Sequence, residues 1–265
     1  MKIVMLGTGT SHGVPTLDCM LNDFRTCPHG VCQKAIADPR YRRTRSSILV
    51  TVDGQSILID TSQDFREQML ANRVRRIDAV LYTHGHADHI YGLADIRSYS
   101  HRQGGAVDIY GSEETLNTIR GCFDYVFRRP QYEGGGIPNV ETHVLNTPGL
   151  VKGVKVTPVP VIHGPTNGCQ GYRIGNTAYL PDVKIIPDAS LALLEGLDLL
   201  ILNCLRIRPH ASHLSLSESL ASVHRIGPRR CLFTHMTHDI DYQLEERTLP
   251  DWVRFAYDGQ VVESE

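Results

Sequence analysis

The sequence lacks the features that mark membrane, secreted and strongly basic proteins. No apolar run approaches the roughly 20 residues needed to cross a bilayer, and the N-terminal MKIVMLGTGT reaches glycine and polar residues too early for a signal peptide. Neither sign of charge dominates, since 27 basic and 29 acidic residues leave a formal net charge of -2. We therefore expect a cytoplasmic protein that does not bind membranes, and nucleic acid is disfavoured as a partner.

Low-complexity tracts, repeats of fixed period and interdomain linkers are also missing. The 265 residues are 41% hydrophobic and 21% charged, which is typical of a globular protein near the upper size for one core. We predict one domain over residues 1–265. One local basic cluster, Arg40, Arg42, Arg43 and Arg45, is either a phosphate-binding element or a solvated loop.

Cysteine and histidine are the residue types that stand out. The seven cysteines are expected to be reduced in a chain without a secretory signal, and to be metal ligands or buried thiols. The 13 histidines exceed the usual share and concentrate in a few short segments. Such clustering indicates a metal site.

Apolar runs predict strands that alternate with helices. Strands are expected over residues 2–6, 47–53, 56–61, 77–83, 107–110, 154–162, 177–180, 199–203 and 231–234. The best helix signal is the capping box from Ser215 to Glu218, which is closed by Gly227-Pro228. The stretch between the first two strands is expected to be long and irregular.

The densest histidine cluster follows the predicted strand 77–83, where the sequence reads HGHADH. His84 and His86 can point to the same side of an extended loop and share one ion. Asp88 and His89 can then face a second ion as the chain turns into a helix. Satisfied polar residues of a loop are the alternative, but a pattern this dense favours metal ligands.

Four side chains do not complete two metal shells. His163, Asp182 and His235 each follow an apolar segment and are candidates for the remaining ligands. Taken singly, each is equally consistent with a surface residue or a residue behind the ligands. Their joint occurrence favours the metal site.

The HxHxDH signature, followed in order by His, Asp and His, resembles the metallo-β-lactamase superfamily. The resemblance implies an α/β fold, the four-layer αβ/βα sandwich, with two metals at one edge. It implies that one metal is held by His84, His86 and His163, that the other is held by Asp88, His89 and His235, and that Asp182 bridges them. Asp60 corresponds to an aspartate that supports the site, although a plain buried or capping aspartate is the alternative there.

The start LGTGTSHGVP, the cysteine-containing loop and the stretch ending THMTHD are similar to the cyclic phosphodiesterases of bacterial phosphonate degradation, which open a phosphoribosyl cyclic phosphate. This resemblance implies hydrolysis of a small, cyclic phosphodiester by a hydroxide shared between two divalent metals, zinc or manganese. Asp88 and His213 are expected to take part in catalysis. A homodimer is favoured only by analogy with that family.

His213 aligns with a family histidine that contacts the scissile phosphate and protonates the leaving oxygen. Its place before a predicted helix N-terminus also suits an anion. A histidine in a capping loop is the alternative reading.

The phosphonate-pathway enzymes also hold a structural zinc, which implies the ligands Cys19, Cys27, Cys32 and His238 here. The spacing departs from the family pattern, because eight and five positions separate these cysteines and His29 lies between them as a rival ligand. Buried or free thiols are the alternative.

Three other functions are weighed against phosphodiester hydrolysis. A tRNA 3′-processing endonuclease shares the ligand series, but no long basic, glycine-rich arm is present. A non-catalytic binding protein would be expected to lose ligands, and every ligand position is filled. Thioester or lactone hydrolysis is disfavoured because those branches usually lack the cysteine loop.

The segment 128–138, rich in glycine and arginine, is either a lid or an ordinary loop.

Overall fold

The computed structural model describes residues 1–128 and 136–265. The segment for which a lid was considered, 128–138, falls mainly on residues 129–135, so that prediction lies outside the described residues. In the described ranges, no helix is long and apolar enough to cross a bilayer.

The first sheet contains seven strands among the described residues. They are β1 (Lys2–Gly7), β2 (Ser47–Val52), β3 (Gln55–Ile59), β4 (Ala79–Leu81), β5 (Val107–Gly111), β6 (Val140–Val144) and β14 (Val261–Glu263). Their order is β14-β1-β2-β3-β4-β5-β6. Pairing is antiparallel from β14 to β3 and parallel from β3 to β6.

The second sheet also has seven strands in the part of the chain that is described. They are β7 (Gly149–Val151), β8 (Val154–Pro160), β9 (Gln170–Ile174), β10 (Thr177–Leu180), β11 (Leu199–Asn203), β12 (Arg230–Thr234) and β13 (Val253–Phe255). Pairing is antiparallel from β7 to β10 and parallel from β10 to β13. Each sheet is therefore mixed.

The helices are short. They are α1 (Leu17–Leu21), α2 (Val31–Ala37), α3 (Phe65–Ala71), α4 (Ala87–Ile90), α5 (Arg97–Gln103), α6 (Glu113–Cys122), α7 (Asp124–Phe127), α8 (Asp188–Ala192), α9 (Leu216–Ile226) and α10 (Tyr242–Glu245). Single 3-10 turns cover Pro28–Gly30, Pro39–Tyr41, Leu93–Ile96 and Glu246–Thr248.

Three apolar clusters show how the layers stack. The central cluster joins the two sheets, for example through Ile48 of β2 and Ile201 of β11. A second cluster packs α3 and α6 on the outer face of the first sheet, and a third packs α2 and α9 on the outer face of the second. This helix–sheet–sheet–helix order confirms the predicted four-layer αβ/βα sandwich.

The stretch expected to be irregular contains two helices, so that expectation was wrong. Thr16 caps α1 by accepting a hydrogen bond from the Cys19 N–H at 3.2 Å. Cys19 and Cys32 are 2% and 0% exposed and pack into the core cluster of the second sheet. Tertiary burial, rather than a strong local pattern, holds these short helices.

The arginines of the cluster 40–45 differ in their surroundings, since Arg43 is buried whereas Arg40 and Arg42 are exposed. Arg43 is 1% exposed, donates from Nη2 to the Ile240 carbonyl at 2.7 Å and lies 4.4 Å from the Tyr242 ring centroid. The other three pair with carboxylates, Arg40 with Glu246, Arg42 with Glu67 and Arg45 with Asp64. The cluster thus fastens the N-terminal segment to the rest of the fold.

Candidate metal centre

The candidate metal ligands lie where strands end at one edge of the sandwich. His84 follows β4, His163 follows β8, Asp182 follows β10 and His235 follows β12. Because β4, β10 and β12 run in parallel segments of their sheets, their carboxyl ends open onto the same crevice, as in other α/β folds.

The ligand atoms fall into the two triads expected from the sequence. In each triad they lie within 4.8 Å of one another, in the first His84, His86 and His163, and in the second Asp88, His89 and His235. His86 is exposed, and the other five are buried. The structure therefore brings together side chains that span 152 positions of sequence, from 84 to 235.

Asp182 lies between the triads. Its Oδ2 is 3.1 Å from His89 Nε2, its Oδ1 is 3.2 Å from His235 Nε2, and Oδ1 is also 3.8 Å from His163 Nε2. The Asp182 carboxylate thus contacts ligands of both triads, as expected of a bridge.

The Asp60 carboxylate supports the cluster by accepting hydrogen bonds from Thr83 and His89. Its Oδ1 accepts from the Thr83 N–H at 2.8 Å, and its Oδ2 accepts from Thr83 Oγ1 at 2.8 Å and from His89 Nδ1 at 2.7 Å. The last bond places the imidazole proton on Nδ1, so that His89 Nε2 faces Asp88 and Asp182. Asp60 itself has φ 65°, a left-handed conformation that costs roughly 1–3 kcal/mol and persists because these bonds fix it.

The cluster has the chemistry of a cation site. His84 Nε2, His89 Nε2, Asp182 Oδ2 and both His235 nitrogens are buried without a hydrogen-bond partner among the described residues. Buried polar atoms are normally satisfied, so the convergence of these lone pairs fits a bound cation. These donors suit a divalent metal.

Electrostatics point the same way. Burial opposes charge on His89, yet Asp182, Asp88 and Asp60 raise its pKa well above the usual value. Burial likewise opposes ionisation of Asp182, but His235, His89 and His84 lower the pKa of this carboxyl. The carboxylates thus draw a positive charge into the centre, as a proton on His89 or as a metal cation.

His213 lies beside the second triad. Its ring stacks on His235 with centroids 4.9 Å apart, and its Nδ1 is 3.3 Å from Asn203 Oδ1 and 3.7 Å from Asp182 Oδ1. Burial lowers the pKa of His213 to about 3, although Asp182 opposes the shift. When Nδ1 donates its proton to a hydrogen bond with Asn203, Nε2 of the neutral ring is unprotonated and can act as an acceptor.

The helix N-terminus next to His213 is already filled. The Glu218 carboxylate accepts from the Ser215 N–H at 2.8 Å and from Lys184 Nζ at 2.6 Å, and these bonds lower the pKa of Glu218 to about 2 although burial opposes the shift. A carboxylate therefore already lies at the start of α9, and phosphate binding beside it stays a prediction.

The three N-terminal cysteines and His238 also meet. His238 Nδ1 lies 3.1 Å from Cys19 Sγ, 3.4 Å from Cys32 Sγ and 3.9 Å from Cys27 Sγ. Zinc–sulfur bonds of about 2.3 Å place tetrahedral ligands roughly 3.8 Å apart, so this spacing fits a zinc ion. His29, the rival ligand, is exposed and is not part of this group.

Sequence reasoning missed three residues that orient the histidines. The Ser212 carbonyl accepts from His163 Nδ1 at 2.8 Å, His210 Nδ1 accepts from the Ser212 N–H at 3.2 Å, and Asn203 contacts His213. The only signal was the first histidine of the segment RPHASH, His210, which lies three residues before His213. A backbone carbonyl such as that of Ser212 leaves no mark in a sequence.

Comparison with known proteins gives the family. Residues 55–236 match the family described as the beta-lactamase superfamily domain. An octanoyltransferase from Porphyromonas gingivalis is 34% identical over 263 residues, which is 98% of this chain and 51% of that protein. The chain thus spans about half the length of this relative.

Two solved structures with different sequence identities to this chain share its fold. The crystal structure of a diphosphatase from the PhnP family is 40% identical, with a TM-score of 0.88 over 100% of this chain and 98% of that one. The short form of human tRNase Z is 17% identical, with a TM-score of 0.69 over 99% of both chains, and shows the fold alone. With its ligand triads in place, this chain belongs to the metallo-β-lactamase superfamily.

Proposed function

We propose that the enzyme hydrolyses a small phosphate ester or anhydride, such as a phosphoribosyl cyclic phosphate or a related diphosphate. The observation that carries the proposal is the pair of buried triads joined by Asp182, with His213 beside them. The whole-length likeness to a PhnP-family diphosphatase supports phosphorus, rather than carbon, as the centre attacked.

The triads and Asp182 would hold two divalent cations. When bound, such cations lower the pKa of water and neutralise charge on phosphoryl oxygens. Zinc and manganese both suit imidazole and carboxylate ligands, and the Cys19, Cys27, Cys32 and His238 group would hold a separate structural zinc.

The side chains of this site position the substrate and move protons. Asn203 holds the His213 ring through Nδ1, which turns Nε2 toward an incoming phosphate ester. The arriving anion favours the imidazolium form, and Nε2–H then donates a hydrogen bond and a proton to the leaving oxygen. Asp88 is 7% exposed, and its Oδ2 lies 3.3 Å from His89 Nε2. Its carboxylate would therefore be a ligand of the second cation.

The first test is elemental analysis of the purified protein combined with hydrolysis of bis-p-nitrophenyl phosphate and of ADP-ribose. We expect about three metal ions per chain and phosphodiesterase activity. Asp182→Ala should keep the structural zinc, lose the metal pair and lose activity. A metal-free and inactive wild type would contradict the proposal and favour a binding protein.

A second variant isolates proton transfer. His213→Ala should retain the wild-type metal content while turnover falls by about 100-fold or more, because a positioned acid is worth roughly 10² to 10⁴ in rate. Substrates with a leaving group that needs no proton, such as p-nitrophenolate, should be affected less. Unchanged turnover on every substrate would refute the role of His213.

The tRNA endonuclease alternative gains no specific support, because the likeness to tRNase Z extends to the fold alone. Electrophoretic binding to tRNA separates the two functions, and we expect none at physiological salt.

A further inference from the structure

A cavity on the outer helical layer of the first sheet belongs to none of the machinery described above. It has a volume of about 500 Å³ and lies between α3, the segment around Val74 and α5. None of the metal-centre or cysteine-cluster residues lines it. Its size is that of a pocket for a small organic molecule.

The floor of the cavity is apolar and partly aromatic. Phe65 and Met69 lie beneath it at 2% and 5% exposure, and the partly buried Tyr99 ring meets Phe65 edge-on with centroids 6.0 Å apart. The Tyr99 hydroxyl is already used, since it donates to the Val74 carbonyl at 2.9 Å. Leu70 stands at the edge with 63% of its surface exposed. This floor offers van der Waals and stacking contacts rather than hydrogen bonds.

The rim, in contrast, is strongly cationic. Arg66, Arg75 and Arg102 line the cavity and form no ion pair or side-chain hydrogen bond with the residues in 1–128 and 136–265. Neighbouring carboxylates are engaged elsewhere, because Glu67 pairs with Arg42 at 2.8 Å and Asp78 with Arg76 at 2.6 Å. The cavity lining thus contains one carboxylate, that of Asp95, and four guanidinium groups, which include that of Arg97.

We propose that this cavity is a second ligand site, which binds a nucleoside di- or triphosphate. Arginine is the side chain best suited to phosphate, and several guanidinium groups around one cavity match a ligand with two or more negative charges. The partly buried Tyr99 ring and the exposed Leu70 side chain supply apolar contact for a flat base. An acyl carboxylate would supply only one charge, and inorganic phosphate would leave the apolar floor uncovered.

A second copy of the chain is a poorer occupant. A two-fold interface places the same patch opposite itself, so that arginines of one copy would face arginines of the other. The net charge of -2 also gives no broad attraction to a nucleic-acid polymer.

The test uses calorimetric titration of the full-length holoenzyme with adenosine 5′-(α,β-methylene)diphosphate, whose carbon bridge resists hydrolysis. We expect a binding event that persists in Asp182→Asn and weakens at least tenfold in the triple variant Arg66→Gln, Arg75→Gln, Arg102→Gln. The triple variant Arg25→Gln, Arg225→Gln, Arg247→Gln removes the same charge from exposed positions elsewhere and should bind normally. Leu70→Ser should weaken the nucleotide but not pyrophosphate.

Several results would overturn the site. One is that the single variant Asp182→Asn no longer binds the nucleotide, and another is that pyrophosphate binds as tightly as the nucleotide. A third is that the two triple arginine variants lose the same nucleotide affinity, and a fourth is that single-stranded oligonucleotides bind more tightly than the nucleotide. Conversion of a dimer to a monomer by the cavity variant, seen by light scattering, would instead assign the patch to an interface. Because hydrolysis is measured separately, this proposal can fail while the proposed function stands.

Discussion

At the scale of single residues, the metal centre depends on groups that fix each imidazole. The Asp60 carboxylate holds His89, the Ser212 carbonyl holds His163 and the Asn203 amide holds His213, each through Nδ1. Since the tautomer of a ligating histidine is set by the bond at its other nitrogen, these partners aim Nε2 at the centre.

His210 is expected to act through Ser212. Its Nδ1 accepts from the Ser212 N–H and lies 3.2 Å from Ser212 Oγ, which fixes the carbonyl that holds His163. His210→Ala should release metal to a chelator about tenfold faster and lower kcat with little change in KM, as expected for loss of support behind a metal ligand. Metal release is followed with a chromogenic chelator.

Two near-isosteric variants separate positioning from substrate contact. His210→Asn keeps an acceptor near the Nδ1 position and should restore slow metal release, whereas His210→Gln places its amide near Nε2 and should not. Rescue by Gln alone, together with a change in KM, would mean that His210 contacts substrate instead.

At the scale of elements, the α4 turn that carries Asp88 and His89 must sit close to the loop before α3. Gly92 makes this approach, with its N–H donating to the Thr61 carbonyl at 2.9 Å. A Cβ at this position would lie 2.3 Å from the Ser62 carbonyl oxygen and 2.6 Å from Phe65 Cβ. Only glycine fits between these two backbones.

Gly92→Ala should therefore lower the free energy of unfolding by roughly 1–3 kcal/mol, as overpacking does, and weaken metal binding by displacing His89. Urea denaturation and metal content measure the two effects. Gly121→Ala is the matched control, because nothing lies within 4 Å of its added Cβ and helix propensity should raise stability by up to about 1 kcal/mol. Equal behaviour of the two variants would contradict this account.

At the scale of the whole molecule, the β1–β14 pairing joins the N-terminal segment to the C-terminal part of the chain, and two side-chain groups add to it. One is the cysteine–His238 group together with buried Arg43. The other is Asp258, whose carboxylate accepts from Thr8 Oγ1, Thr44 Oγ1 and the Thr44 N–H, each at 2.7 Å. Burial outweighs these bonds and raises the pKa of Asp258 from 3.8 to about 6.

This shift gives a pH dependence with a defined sign. The fold keeps the Asp258 proton to a higher pH than the unfolded chain, so its stabilisation is complete below about pH 4 and is lost as pH rises through about 6. Asp258→Asn cannot ionise. Relative to that variant, the wild type should lose roughly 2–3 kcal/mol between pH 4 and 7, at up to ~1.4 kcal/mol per unit.

Urea unfolding of both proteins at several pH values measures the difference. A difference in unfolding free energy that stays constant from pH 4 to 7 would show that Asp258 does not titrate in this range. The background titration of other groups cancels, because both chains share it.

The sequence by itself determined the superfamily and the main strands, and it predicted the series of residues that the structure brings together. HGHADH and the later His163, Asp182 and His235 carry their own chemistry, and strands such as β8 and β11 are long enough to show their apolar pattern. It also indicated that Cys19, Cys27, Cys32 and His238 could form one group, despite their altered spacing. That the chain forms one domain stays a prediction.

Only the tertiary structure decided which side chains meet and how they are held. The three-residue strands β7, β13 and β14 are too short for alternation to appear in sequence, and α1 and α2 form because the core buries them. The arginines at 40–45 look solvent-facing until Arg43 is seen buried against Tyr242. Contacts through backbone groups, such as the Ser212 carbonyl on His163, depend on the path of the chain in space rather than on residue type.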